Sequence, residues 1–290
     1  MRKRIKRFVP IILVFLCACS AAEAPAPTVT APTTVPYSKI IDAGHFAPRD
    51  ELEAPAVSLP PDVKAVIVPH GGEAIRMAAG IIGGLAESSP KTVILVGPNH
   101  TTNGPKIATT YAAFSAYGGM VLPREDKLRA LTGRGLARVD DALFETEHSV
   151  GIHMPLLARY LPGAAAAPVI FQKNVPFNTA KRALDALYDL SDPDTVLVAS
   201  IDFSHGLSSR EEQLRRVKML ECIRAYDAAG VLALDATYVD APVLLAALLQ
   251  LMKDNGCAME LVAGANSSEL LGREVPAPTG YMTIVFYGGG

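Results

Sequence analysis

The sequence predicts a single α/β domain with a mostly parallel central sheet flanked by helices. Three observations carry this. Short Val- and Ile-rich runs end abruptly in turn residues, amphipathic or apolar helical stretches separate them, and the alternation continues through most of the chain. Helices covering both faces of a parallel sheet make its strands nearly continuous apolar runs. Of the 290 residues, the roughly 250 beyond the N-terminal segment suffice for one large domain.

The first run, Val63 to Val68, ends in Pro69-His70-Gly71-Gly72. The second, Thr92 to Val96, ends in Gly97-Pro98-Asn99-His100, and the third spans Ala167 to Phe171. The fourth, Thr195 to Ser200, ends in Ile201-Asp202-Phe203-Ser204-His205-Gly206; Met259 to Ala263 and Tyr281 to Tyr287 complete the set. Between them, Ala74 to Glu87 places Ile75, Ala78, Ala79, Ile82 and Leu85 on one helical face. A helical pattern from Thr179 to Leu190 follows the third strand and Ser209 to Ala228 is a longer amphipathic helix, whereas Ala241 to Lys253 is apolar almost all round and is expected to be packed on both sides. No internal repeat or interior linker interrupts the region.

The N-terminus has a different character. Arg2, Lys3, Arg4, Lys6 and Arg7 precede an apolar run from Phe8 to Leu16 broken by Pro10. This run is shorter than the roughly 20 residues of a bilayer-spanning helix and fits the apolar core of a secretory signal. Leu16-Cys17-Ala18-Cys19 resembles a bacterial lipobox, which implies cleavage after Ala18 and a lipid on the Cys19 sulfur; ordinary cleavage nearby, without lipid, is the alternative. Residues 19–38 are rich in Ala, Pro and Thr and lack a hydrophobic period, as expected of a tether. The expected organisation is a lipoprotein signal peptide at 1–18, a lipidated tether at 19–38 and a folded domain at 39–288. It places the domain outside the cytoplasm, on the cell envelope, with membrane lipid as a partner through Cys19.

A net charge of −2 argues against a nucleic-acid partner. With Cys17 and Cys19 assigned to export, only Cys222 and Cys257 remain in the domain. An extracytoplasmic setting permits a disulfide, but two separate packed thiols are the preferred reading. There is no CxxC, no G-x-G-x-x-G and no P-loop, which removes zinc-ribbon, thioredoxin and nucleotide-cofactor readings. Asp202, Ser204 and His205 do not make a hydrolase triad, because triads assemble from distant loops and no G-x-S-x-G elbow is present.

Chemistry enters with the histidines. The chain has six, and His70, His100 and His205 each follow a different predicted strand. Ligands of open α/β sheets bind beyond the carboxyl ends of the strands, so parallel strands bring these three imidazoles to one edge. Any one of them alone is more often a hydrogen-bonded structural residue than a ligand. Three with the same placement point to a metal site, imidazole being the commonest side-chain ligand of iron, copper and zinc. Glu147-His148-Ser149 with His153-Met154-Pro155 forms a second constellation, either an acid–base group facing the substrate or a helix cap with surface polarity.

These residues resemble the Memo family, also called AmmeMemoRadiSam system protein B, which is related to the class III extradiol dioxygenases. Ala43-Gly44-His45-Phe46-Ala47-Pro48 is similar to the family's Ala-Gly-x-Phe-Tyr-Pro, and Pro69-His70-Gly71-Gly72 to Pro-His-Ala-Gly. Gly97-Pro98-Asn99-His100, Glu147-His148-Ser149, Asp202-Phe203-Ser204-His205 and Asn266-Ser267-Ser268 match further family motifs in order. The resemblance runs from about Lys39 to Tyr287 and implies the extradiol dioxygenase fold, in which two histidines and a carboxylate hold Fe(II). By the resemblance, His70 and His100 are metal ligands, His205 is a third pocket imidazole serving as ligand or acid–base group, and Asp202 orients it. The family's tyrosine after Pro-His-Ala-Gly is Glu73 here, and a cysteine able to bind metal corresponds to about Leu270. Either a carboxylate such as Glu73 or Glu269 replaces the missing thiolate, or metal binding is weakened.

Three functions remain open at this stage. The first is an envelope protein that holds a metal ion, or a small aromatic or peptide ligand, without turnover. The second is an Fe(II)- or copper-dependent redox enzyme, most concretely a ring-opening dioxygenase in which His205 or His148 moves the proton and Asp202 assists. The third is a non-catalytic scaffold. Proteins of the AmmeMemoRadiSam set are the partners the resemblance implies.

Overall fold

The computed structural model describes residues 37–189, 192–206 and 208–289. The segments expected to be a signal peptide and tether, with Cys19, lie outside the described residues except for Tyr37 and Ser38.

Eleven strands are present among the described residues: β1 (Ile40–Asp42), β2 (Val63–Val68), β3 (Thr92–Pro98), β4 (Ile107–Thr109), β5 (Ala113–Ala116), β6 (Gly119–Val121), β7 (Arg138–Val139), β8 (Ala165–Phe171), β9 (Thr195–Ser200), β10 (Ala258–Asn266) and β11 (Gly280–Tyr287). Eight form the central sheet in the order β10-β11-β2-β9-β3-β8-β4-β7. Its middle, β2-β9-β3-β8, is parallel and carries the predicted Val- and Ile-rich runs. The flanks are mixed: β10, β11 and β2 pair antiparallel, as does β4 with β8. The buried middle of the sheet is thus parallel with antiparallel pairs on either side, and the edge strand β10 is mostly intermediate or exposed.

One apolar cluster covers each face of the sheet. On one side Leu184, Leu187, Leu244, Leu248, Leu249 and Met252 pack against Ile94, Leu197 and Ile284. On the other, Ile75, Ala78, Ile82 and Leu85 pack with Leu156 and Leu157 against Val66, Leu95 and Val198. The helix Pro242–Asp254 is buried through Leu244–Leu249 without a break, in keeping with its all-round apolar sequence. The helix Ile75–Leu85 needs its glycines. A Cβ on Gly84 would lie 2.3 Å from the Val57 carbonyl oxygen, so glycine lets the segment around Val57 lie against the helix. Cys222 and Cys257 are both buried free thiols.

A second sheet, β1-β5-β6, escaped the sequence reading. Its β5–β6 hairpin turns through Tyr117 and Gly118, both at positive φ (51° and 90°), the conformation of a type I′ two-residue turn. Tyr at the first position hides the usual Asn-Gly signal, although Gly118-Gly119 carried part of it. Among the described residues, no helix is long and apolar enough to cross a membrane.

Candidate functional site

The parallel strands deliver their following residues to one edge of the sheet. His70 follows β2, His100 follows β3 and Asp202 follows β9. A fourth contribution comes from the short helix His148–Gly151, between β7 and β8. Glu147 caps it, its carboxylate accepting from the Ser149 N–H at 2.9 Å. Ser149 Oγ donates to the Pro98 carbonyl at 2.7 Å, and Gly97 makes this approach possible, since a Cβ there would sit 2.8 Å from that hydroxyl.

The result brings three imidazoles together. One ligand nitrogen from each of His70, His100 and His148 lies within 4.8 Å of the others. His100 and His148 stack at 4.4 Å between ring centroids, and His70 meets both edge-on. His70 is buried, His100 half-buried and His148 exposed.

Hydrogen bonds decide which nitrogen each ring offers. Glu147 accepts from the backbone N–H of His100 and, at 2.8 Å, meets its Nδ1. A carboxylate only accepts, so Nδ1 carries the proton and Nε2 is free to bind a ligand. Ser200 Oγ donates to the Ser149 carbonyl at 2.5 Å and has only acceptor capacity left. Its two imidazole neighbours, His70 Nδ1 at 2.9 Å and His153 Nε2 at 3.0 Å, must therefore both donate to it. His70 thus also turns Nε2 toward the cluster, while His153 keeps an unprotonated, buried Nδ1 without a partner.

Carboxylates surround this edge. Burial opposes protonation of His70, but Asp202 and Asp240 overcome it and raise its pKa to about 9. Burial drives His153 down to about 3, helped by the charge of His70 and His148, so it is neutral. Burial also lowers His148, again with His70 and His100 opposing its charge. Burial alone would raise Glu147, yet the His100 hydrogen bond and the Ser149 N–H bring it down to about 2. Asp202 is raised by burial against the pull of His70. Its Oδ1 accepts from the His70 N–H at 2.9 Å, and its carbonyl accepts from the Asp240 N–H at 3.1 Å. An isolated bridge between Phe203 and Val239 fixes the same loop.

The remaining expected residues lie apart from the convergent nitrogens. His205 turns its Nδ1 to the Phe203 carbonyl and its backbone N–H to Thr237, and is not one of the three clustered imidazoles. Its place is taken by His148, which the sequence reading held as an acid–base candidate. Glu269 is exposed, closes a capping box with Asn266 and pairs with Arg216. Glu73 is exposed and acts on Tyr281, whose pKa it helps to raise after burial and the charge of Asp202. The carboxylate that faces the imidazoles is instead Asp240, with Oδ2 3.0 Å from His70 Nε2 and 3.8 Å from His100 Nε2. Asp240 carried no usable signal, because an acidic residue just before Pro242 reads as an ordinary helix start. Ser200 did carry one, as a hydroxyl closing the fully buried apolar run of β9.

A histidine cluster with buried carboxylates, set at the carboxyl ends of parallel strands, defines a candidate metal centre in an α/β protein. The model of the Memo-like protein family matches residues 51–281. A MEMO1 family protein of Methanopyrus kandleri is 31% identical over 241 residues, covering 78% of this chain and 84% of the relative. A second, from Caldivirga maquilingensis, is 24% identical over 240 residues, covering 78% and 83%. The solved structure of an uncharacterized protein from Escherichia coli K12 shares the fold, with a TM-score of 0.51 at 16% identity over 78% of this chain and 100% of that one. The chain belongs to the Memo-like family.

Proposed function

We propose that this protein binds a transition-metal ion through the Nε2 atoms of His70 and His100 and a ring nitrogen of His148. The convergence of these nitrogens within 4.8 Å carries the reading. The tautomers fit it too, because Glu147 and Ser200 each take the Nδ1 proton of a ligand ring, the arrangement that orients metal-binding histidines. Imidazole suits iron, copper and zinc alike. Anaerobic loading of the full-length chain with Fe(II), Cu(I) or Zn(II) tests this. Stoichiometric metal that is lost on His70→Ala/His100→Ala is expected; equal metal in both proteins, or in neither, defeats the reading.

A catalytic role is the second reading, favoured by the exposure of His148, half of whose side chain faces solvent. One side of the cluster is therefore open to a small molecule. A bound Fe(II) would supply Lewis acidity and redox chemistry for ring opening of a catechol, with His148 placed to move a proton at the open side. Metal-dependent oxygen uptake with catechols, absent in the double variant, supports turnover. Stoichiometric metal without oxygen consumption leaves a binding protein.

We also propose attachment to the cell envelope through Cys19, on the strength of the basic, apolar and lipobox segments. Metabolic labelling with palmitate should mark the wild-type chain and not Cys19→Ala. Equal labelling, or none, overturns this assignment.

A further inference from the structure

We propose that Asp240 is the anionic ligand of this site, so that three imidazoles and one carboxylate hold a divalent cation. The inference rests on the metal-binding reading and adds the member that decides which ions are held.

Geometry is the first argument. Donor atoms bound at ~2.1 Å to one tetrahedral ion sit about 3.4 Å from one another. Asp240 Oδ2 stands 3.0 Å from His70 Nε2 and 3.8 Å from His100 Nε2, on either side of that spacing. The second argument is the lack of other employment. Asp240 is 5% exposed, its Oδ1 has no hydrogen-bond partner, and its Oδ2 faces only the rings of His70 and His100. A buried carboxylate left in this state is costly unless something else satisfies it.

Its neighbours are already committed. Glu147 is spent on His100 and the Ser149 N–H, and Asp202 Oδ1 on the His70 N–H. Glu73 and Glu269 are engaged elsewhere. The backbone delivers Asp240 deliberately: its N–H is held by the Asp202 carbonyl, and Phe203 pairs with Val239 beside it. The ion pairs of Glu147, Asp202 and Asp240 are all to histidines. A divalent ion that takes the place of the His70 proton would neutralise more of this negative charge than the single imidazolium does. A carboxylate is a hard donor that suits divalent ions, whereas Cu(I) prefers thiolate or thioether.

The test is titration of the purified full-length chain, anaerobically, with Co(II) read by visible absorption and with Cu(I) by competition against a chromogenic chelator. Asp240→Asn should weaken Co(II) by more than about 100-fold, beyond the ~10–100-fold that follows loss of a group behind a ligand. It should also shift the d–d bands and leave Cu(I) affinity nearly unchanged. Asp240→Glu, which retains the charge if Asp240→Asn fails to fold, should keep Co(II) with displaced bands. Co(II) uptake abolished by His70→Ala/His100→Ala, but with affinity and bands untouched in both Asp240 variants, overturns this inference and leaves the histidine site standing. No Co(II) uptake by the wild-type chain overturns both.

Discussion

Ser200 has one hydroxyl and three partners, and the arithmetic of its lone pairs fixes two histidines at once. It donates to the Ser149 carbonyl, so it can only accept from His70 and His153. Removing the hydroxyl in Ser200→Ala frees the His70 ring to exchange tautomers. Metal affinity should then fall ~10–100-fold, and nitrogen NMR of the metal-free protein above pH 9, where the ring is neutral, should show His70 losing its fixed Nδ1–H form. An unchanged tautomer would mean that packing, not Ser200, sets the ring. His70 also makes stability depend on pH. Its pKa in the metal-free fold, about 9, exceeds the ordinary 6.5, so the folded state binds the proton more tightly than the unfolded chain. The stabilisation is complete below pH 6.5 and is lost as the pH rises through 9, on the order of 3 kcal/mol in all. Urea unfolding in the presence of a chelator should show this decline, and His70→Ala should flatten it.

At the scale of elements, the helix Ile75–Leu85 sets a local preference against a packing demand. Alanine at Gly84 would gain about 1 kcal/mol of helix propensity. Its Cβ would meet the Val57 carbonyl at 2.3 Å, with Leu59 side-chain atoms at 3.0 and 3.1 Å. Overpacking costs about 1–3 kcal/mol, and backbone cannot yield as a side-chain tip does, so the upper end applies and Gly84→Ala should be destabilising by about 2 kcal/mol net in denaturant melts. Gly133, with nothing within 4 Å of an added Cβ, should show no such loss. The same contrast between local signal and tertiary demand separates what was legible in the sequence from what was not. The runs that became β2, β3, β8 and β9 were readable because both faces are buried, and so were His70 and His100 at two of their ends. The antiparallel margin formed by β10 and β11 was not, because an apolar run does not encode strand direction. Nor was the exchange of His205 for His148. It depends on the Glu147 cap and the Ser149–Pro98 contact, which fold a distant segment onto the end of β3. Asp240 reaches the site only through pairing of its loop with Asp202 and Phe203, a contact with no local signature.

At the scale of the whole molecule, the site ties together parts of the chain that are far apart in sequence. His70, His100, Glu147–His148, Asp202 and Asp240 come from five segments, joined at the carboxyl edge by hydrogen bonds and ion pairs rather than by apolar packing. Without a metal, repulsion between Asp202 and Asp240 and the partnerless Asp240 Oδ1 work against closing that edge, while the charge on His70 works for it. Neither penalty exists in the unfolded chain, where water solvates every group. An ion that binds only the folded arrangement should therefore report on all five segments together. At a free concentration 100 times its dissociation constant it adds ~2.7 kcal/mol, and for a domain of this size each kcal/mol moves the melting temperature by ~2–4 °C. Saturating Co(II) or Zn(II) should accordingly raise the calorimetric melting temperature by ~5–10 °C, in a single transition that moves as one. His70→Ala/His100→Ala should melt at the same temperature with and without metal. A rise of equal size in that variant would mean that the ion acts elsewhere on the protein, and a split transition would mean that the edge folds independently of the sheet beneath it.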